Sequence, residues 1–172
     1  MQLFVERIKT PIGPLLITHD GKALANIAFA DREERRAGEL ARDFPGAEVK
    51  RARERSRFAD ALESYFEGNT RTIDKLPVIN FGTDFQRRCW SELRRVPAGS
   101  TRTYSEHARI IGRPNASRAV GAANGFNPVS IVVPCHRLIG ANGSLIHYGG
   151  GIERKRWLID HEAQCALGKA AT

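Results

Sequence analysis

The residues of this chain best suited to chemistry fall in two short stretches, Pro134-Cys135-His136-Arg137 and Asp160-His161-Glu162. A cysteine attacks as its thiolate, and a free thiol, with a pKa of about 8.5, is only slightly ionised at neutral pH. His136 is placed to take that proton, directly or through water. A carboxylate behind the imidazole would hold it in the useful tautomer. Asp160 and Glu162 both qualify, and spacing alone does not choose between them. Ile131, Val132 and Val133 read as a short buried strand, which Pro134 ends because it has no N–H for a ladder. Cys135 is therefore expected where regular structure gives way, as a nucleophile and not as core filler.

The other two cysteines carry less. Cys89 lies on an apolar stripe with Phe85, Trp90, Leu93 and Val96 and reads as a small core residue. Three widely spaced cysteines make no disulfide framework, which favours a reducing compartment. They also lack the C-x-x-C or Cys/His spacing of a zinc site, so no metal is expected.

The elements that must position these side chains lie past a lobe boundary near residue 80. Of the 172 residues, 41% are hydrophobic and 27% charged, the composition of an ordinary globular protein. No stretch is long and apolar enough for a membrane span, and the N-terminus lacks the apolar core of a signal peptide. A cytoplasmic location without membrane partners follows as the expectation. The net charge of +8 is unevenly spread. Residues 1–80 carry 14 basic and 13 acidic side chains, and residues 81–172 carry 13 and 6. The basic second half is suited to a polyanion.

Residues 3–30 alternate as β-structure with a hairpin turn at Asp20-Gly21, and 31–44 switch to helical composition. An amphipathic helix over 56–68 places Phe58, Leu62, Tyr65 and Phe66 on one face. Residues 69–82 read as a connector with a short strand. Past it, Thr83 and Gln86 have capping-box spacing at the head of a helix stopped before Pro97. Two short helices joined by Gly112-Arg113-Pro114 form a helix-turn-helix pattern. The second is slim, with Ala116, Ala119, Gly121, Ala122 and Ala123, and Arg118 projects near its start. It lacks the side chains of a major-groove reader, so minor-groove or shape-based DNA binding is expected. A hairpin-like segment at Asn142-Gly143, three glycines at 149–151, and a last helix with Trp157 and Leu158 toward the core complete the chain.

The run "RAVGAANGFNPVSIVVPCHRLIGANGSLIHYGGGIERKRWLIDHE", preceded by "GTDFQRRCWSELRRVPAGSTRTYSEHARIIGRP", closely resembles the active-site region of O6-alkylguanine-DNA alkyltransferases. The likeness covers residues 81–162, with looser echoes in "TPIGPLLI" and "LESYFEG". It implies an α+β fold of two lobes. An N-terminal β-sheet with helices (ribonuclease H-like, residues 1–80) supports a mainly helical, winged-helix-like lobe carrying the helix-turn-helix and the active site (residues 81–172).

The resemblance also implies direct reversal of damage in double-stranded DNA. The alkyl group of O6-alkylguanine, or of O4-alkylthymine, passes irreversibly to Cys135, once per molecule and without a cofactor. In this scheme His136 activates the thiol through a water and Glu162 orients His136. Asn127 braces the turn that presents the cysteine, and Tyr104 protonates the leaving base. The carbonyls of Cys135 and Leu138, the amide of Gly149, and Tyr148 and Gly150 line the base pocket. Arg118 enters the duplex from the minor groove, with Ser117, Ala119, Ala122 and Arg137 also at the DNA. A monomer is implied, with clustering along DNA left open. This chain departs from the bacterial pattern in having His147, preceded by Ile146, where glycine usually precedes the loop tyrosine. Those two residues are expected to narrow the pocket mouth or add a polar contact. The rival readings are an inert DNA-lesion-binding module, which would bind without reacting, and a Cys135-His136-Glu162 hydrolase, which would turn over.

Overall fold

The computed structural model describes residues 1–171, with side chains through residue 168. Contacts divide the chain into a first unit of residues 1–81 and 128–132 and a second unit formed by the rest. The first unit is built on a four-stranded sheet, with β1 (Gln2–Ile8), β2 (Leu15–His19) and β3 (Leu24–Phe29) in an antiparallel meander. The β2–β3 turn is held by Asp20, whose carboxylate accepts from the amides of Lys22 and Ala23 at 2.8 Å each. Gly21 supplies a left-handed φ of 91° there, which favours glycine. After one turn of 3-10 helix, α1 (Glu33–Asp43) crosses to β4 (Glu48–Arg51), which pairs parallel to β1 at the sheet edge.

Leu40 of α1 and Phe44 just past it pack on Leu3 and Ala25 of the sheet, with Ala47, Ile79 and Phe81 partly buried against them. The helix α2 (Arg57–Phe66) starts at Ser56, whose hydroxyl accepts from the amides of Phe58 and Ala59. It buries Phe58, Ala59, Leu62 and Tyr65, the i, i+3, i+4 face expected of an amphipathic helix.

Two expected strands do not form. In the connector, Val78 makes a single bridge to Leu24, because Pro77 offers a carbonyl but no N–H to extend a ladder. Residues 131–132 form a turn, and Val133 belongs to no strand. Ile131 has a φ of 74°, Val132 N–H bonds back to Ser130 O at 2.9 Å, and Cys135 N–H to Val133 O at 2.8 Å. Their β-branched side chains are buried all the same. Apolar composition signalled burial, and the backbone met its hydrogen bonds locally. Just before them, Ile27 N–H donates to Pro128 O at 2.8 Å, laying residues 128–129 along β3.

In the second unit α3 (Asp84–Leu93) opens with the full Thr83/Gln86 capping box and buries Cys89, Trp90 and Leu93. Burial pushes the Cys89 thiol up to about 11, which suits a core residue. β5 (Arg102–Thr103) leads into α4 (Tyr104–Ile110), begun by a second capping box between Thr103 and Glu106. A turn with Gly112 at a φ of 76° connects it to α5 (Ser117–Gly125). The helix α5 is anchored to α3 by Trp90 Nε1, which donates to Ala123 O at 2.9 Å. Its inner face is Val120, Ala123 and Asn124, and Arg118, Ala119 and Ala122 face solvent.

After the cysteine, β6 (Leu138–Ile139) pairs parallel with β5, and the chain reverses at Asn142-Gly143 as expected, closed by Gly143 N–H to Gly140 O and Gly140 N–H to Ser144 O, with no strand on the far side of the turn. The last helix, α6 (Ile152–Ala171), buries Lys155, Leu158 and Glu162. Trp157 is half-buried and stacks on His161 at 4.7 Å between ring centroids.

Because Thr103 caps the helix that begins with Tyr104, Thr103→Ala is expected to lower unfolding stability by about 1 kcal/mol. Urea unfolding at unchanged m-value is the check.

Candidate active site

Pro134 is followed at once by a single 3-10 turn, Cys135–Arg137, so three consecutive side chains point in different directions from one tight curve. Two asparagines hold this curve. Asn127 Nδ2 donates to Val133 O at 2.8 Å, and Asn124 Nδ2 donates to Cys135 O at 3.2 Å. Leu138 N–H also donates to Cys135 O. The cysteine, 5% exposed, is thus fixed from α5 before it and from β6 after it.

His136 is fully buried, and its Nε2 lies 2.8 Å from Glu162 Oε1. Burial alone would raise the carboxyl pKa of Glu162, but His136 and Arg137 more than offset it and hold the group well below the usual range. Glu162 is therefore an acceptor, so Nε2 carries the proton and Nδ1 is the basic nitrogen. Nδ1 is buried and has no hydrogen-bond partner among the described residues. Burial pulls the imidazolium below its ordinary pKa despite the opposing pull of Glu162, so the ring is neutral at neutral pH. Between the two carboxylates left open by spacing, geometry selects Glu162; Asp160 is exposed.

Arg137, expected at the DNA, is 2% exposed and is corrected to an internal role. Its guanidinium donates to both oxygens of Glu162, at 3.0 and 2.8 Å, and to Val96 O at 2.6 Å. All three guanidinium nitrogens are engaged, and at this depth the side chain is out of reach of a phosphate. The expectation for the Cys135 carbonyl also changes. Both of its lone pairs are already engaged, by Asn124 and Leu138, so a base amine could bind there only by displacing one of them.

Tyr104, Ser117, Arg118, Gly121, Ala122, Ile146 and His147 line a groove of about 460 Å³. Burial and the charge of a Cys135 thiolate raise the Tyr104 phenol, against the amide of Asn124, so it remains a proton donor at neutral pH. Its hydroxyl donates to Ile146 O at 3.3 Å. Ile146 and His147 do stand at the groove, and His147 is held at a φ of 47°. Leu138 and Gly150 are buried, Tyr148 is half-buried and Gly149 is exposed; none of the four lines this groove. Ala119 is exposed on the outer face of α5.

Asn124 and Lys155 are site residues that motif reading missed. Asn124 is a polar side chain on the inner face of α5, beside Val120 and Ala123. Lys155 shares a helical face with Leu158 and Glu162, at i, i+3 and i+7. A polar residue on an inward face was the available signal in both cases.

Comparison with known proteins extends over nearly the whole chain. Residues 84–164 match the model of the 6-O-methylguanine DNA methyltransferase DNA-binding domain, and residues 3–79 that family's ribonuclease-like domain. The chain is similar to the methylated-DNA--protein-cysteine methyltransferase of Shigella flexneri, 44% identical over 170 residues, covering 97% of this chain and 99% of that one. A Mycobacterium tuberculosis relative of the same name is 44% identical over 155 residues, covering 90% and 89%. Among solved structures, Mycobacterium tuberculosis O6-methylguanine methyltransferase superposes with a TM-score of 0.79 at 39% identity, covering 94% and 93%. The Mycobacterium tuberculosis OGT in complex with DNA gives 0.77 at 37%, covering 96% and 94%.

The buried cluster sets the direction of acid sensitivity. His136 and His107 are held neutral, so below the ordinary histidine value of 6.5 the unfolded chain binds the extra protons and stability falls. Glu162 contributes fully above its ordinary 4.5 and loses that contribution as pH falls toward its depressed folded value. Urea unfolding should show stability declining from pH 7 to pH 4. Glu162→Gln should cost roughly 3 kcal/mol at neutral pH, by leaving Arg137 buried and unpaired, and should flatten the acid limb. A parent stability constant over that range would contradict the assignment.

Proposed function

This chain belongs to the 6-O-methylguanine DNA methyltransferase family, and we propose that Cys135 is the acceptor to which it transfers the alkyl group of O6-alkylguanine in duplex DNA. The observation that carries the assignment is the buried relay behind the thiol: Glu162 on His136 Nε2 at 2.8 Å, with Nδ1 left unprotonated. His136 Nδ1 takes the thiol proton, directly or through water. The thiolate attacks the alkyl carbon, an S–C bond forms, and the C–O6 bond breaks with its electron pair passing to the guanine. Tyr104 gives its phenolic proton to the departing base, and the proton held on His136 restores the balance through solvent. No group in the site can cleave a thioether, so each molecule acts once. That displacement calls on no metal and no cofactor.

An O6-alkyl group in a stacked pair is out of reach of a cysteine that is itself buried, so the nucleotide must swing out of the duplex. The exposed, small-residue face of α5, with Ser117, Ala119 and Ala122, suits a narrow minor groove, and Arg118 is free to fill the space the base leaves. The basic balance of residues 81–172 supplies the phosphate attraction. On this reading residues 81–172 bind DNA and accept the alkyl group, and residues 1–80 support them. No helix among the described residues is long and apolar enough to cross a membrane. The cytoplasm, where DNA and reduced thiols coexist, is the proposed site of action.

Incubation with a duplex containing O6-methylguanine should add one methyl mass to the peptide bearing Cys135, with one equivalent consumed per protein. Cys135→Ser should take up nothing. Continued product release beyond one equivalent would favour a hydrolase, and DNA binding with no mass change an inert module. Arg118→Ala should slow transfer from duplex DNA by tenfold or more and leave transfer from the free alkylated base unchanged; equal losses on both would remove Arg118 from the flipping step.

A further inference from the structure

The first unit carries a groove of about 590 Å³ that the alkyl-transfer chemistry does not use. Its floor is one face of the sheet. Val5 pairs with Arg51 across β1 and β4, and Arg7 pairs with Leu16 across β1 and β2, so these four side chains stand on the same side. Leu3 is on that side too, but it is buried with Leu40 and Phe44, whereas Val5 and Leu16 are only half-buried. The groove is thus the part of the sheet that α1 leaves open. Arg7, Arg51 and Arg53 line it, and all three are exposed.

Residues 1–80 are nearly neutral in sum, but their charges are not evenly spent. Arg35 sits on Glu39, Arg42 on Asp43, and Arg55, also in the groove lining, on Asp60 and Glu63. No carboxylate among the described residues pairs with Arg7, Arg51 or Arg53. Of the two carboxylates in the lining, Glu6 has both oxygens taken by the hydroxyl and amide of Ser56. Glu54 is the one negative charge left to oppose three positive ones. Guanidinium groups on stems that flank an apolar floor suit a chain of phosphates. No aromatic ring lines the groove, so a base would find nothing to stack on, and the sugar-phosphate backbone is what fits. We propose that this groove is a second DNA contact of the protein, in which Arg7, Arg51 and Arg53 hold the phosphates of a duplex without reading its sequence. It rests on DNA being the partner and not on Cys135 being the acceptor, and it gives the first unit a task beyond support.

The test is binding of the full chain to an undamaged duplex, followed by fluorescence anisotropy from about 50 to 200 mM salt. Arg7→Gln, Arg51→Gln and Arg53→Gln together should make the slope of log affinity against log salt shallower by about 2 to 3, since each phosphate contact contributes about 0.9. A control removes the same charge outside the groove, by Lys22→Gln, Arg32→Gln and Lys75→Gln, and should keep a slope within about 0.5 of the parent's. All six side chains are exposed, so both variants should melt with the parent. Equal slopes in the parent and the groove variant, or equal losses in the groove variant and the control, overturn the proposal. So does a groove variant that loses binding to polyglutamate and keeps the parent's slope on DNA, which would assign the groove to an acidic protein. Parent protein that gains no methyl from an O6-methylguanine duplex would instead sink the alkyl-transfer reading, and the salt slopes would still decide the groove.

Discussion

One buried carboxylate organises the site. Glu162 accepts from both His136 and Arg137, so a single group on α6 sets the tautomer of the imidazole and neutralises the cation next to it in sequence. Each partner alone would be a liability in a buried site: a charged arginine with no anion, or an imidazole free to turn. Together they are rigid, and the rigidity passes to Cys135 because all three consecutive residues of its turn are held. The Val96 carbonyl, which accepts from the third guanidinium nitrogen, ties the end of the α3 segment to the same cluster.

The backbone around the cysteine follows the same logic at a smaller scale. Asn124 and Asn127, three residues apart at the end of α5, each spend an amide on a carbonyl of the curve. The helix whose outer face suits DNA therefore holds the acceptor with its inner face. A displacement of α5 on a bent duplex would reach Cys135 through two hydrogen bonds, with no intervening flexible segment.

Much of this was legible in the sequence, and the failures have physical reasons. Regular amphipathic elements and their caps were readable, since Thr83/Gln86 and the face of α2 follow from spacing alone. Cys135, His136 and the helix pair stood out because their residue types and spacing are chemically distinctive. Burial of charge was not. Arg137 looks like a phosphate ligand in a basic stretch, and only the approach of α6 shows that it serves Glu162. Lys155 was lost among the basic residues of its helix for the same reason. The edge strand β4, with the sequence Glu-Val-Lys-Arg and every residue exposed, has no apolar alternation to betray it. The run of β-branched residues before the cysteine misled in the opposite sense, since their burial is reached through turns.

The return of residues 128–132 to the first unit has a consequence for how this protein could be divided. The boundary suggested by composition, near residue 80, is not a place where a knife would release an intact second half. Such a fragment would carry Val129, Ile131 and Val132, all buried in the whole chain, without the β3 backbone along which their segment is laid. The loosened stretch would end two residues short of the nucleophile's proline. Excision would thus fray the very ground on which the sulfur stands, although every side chain of the relay would still be present.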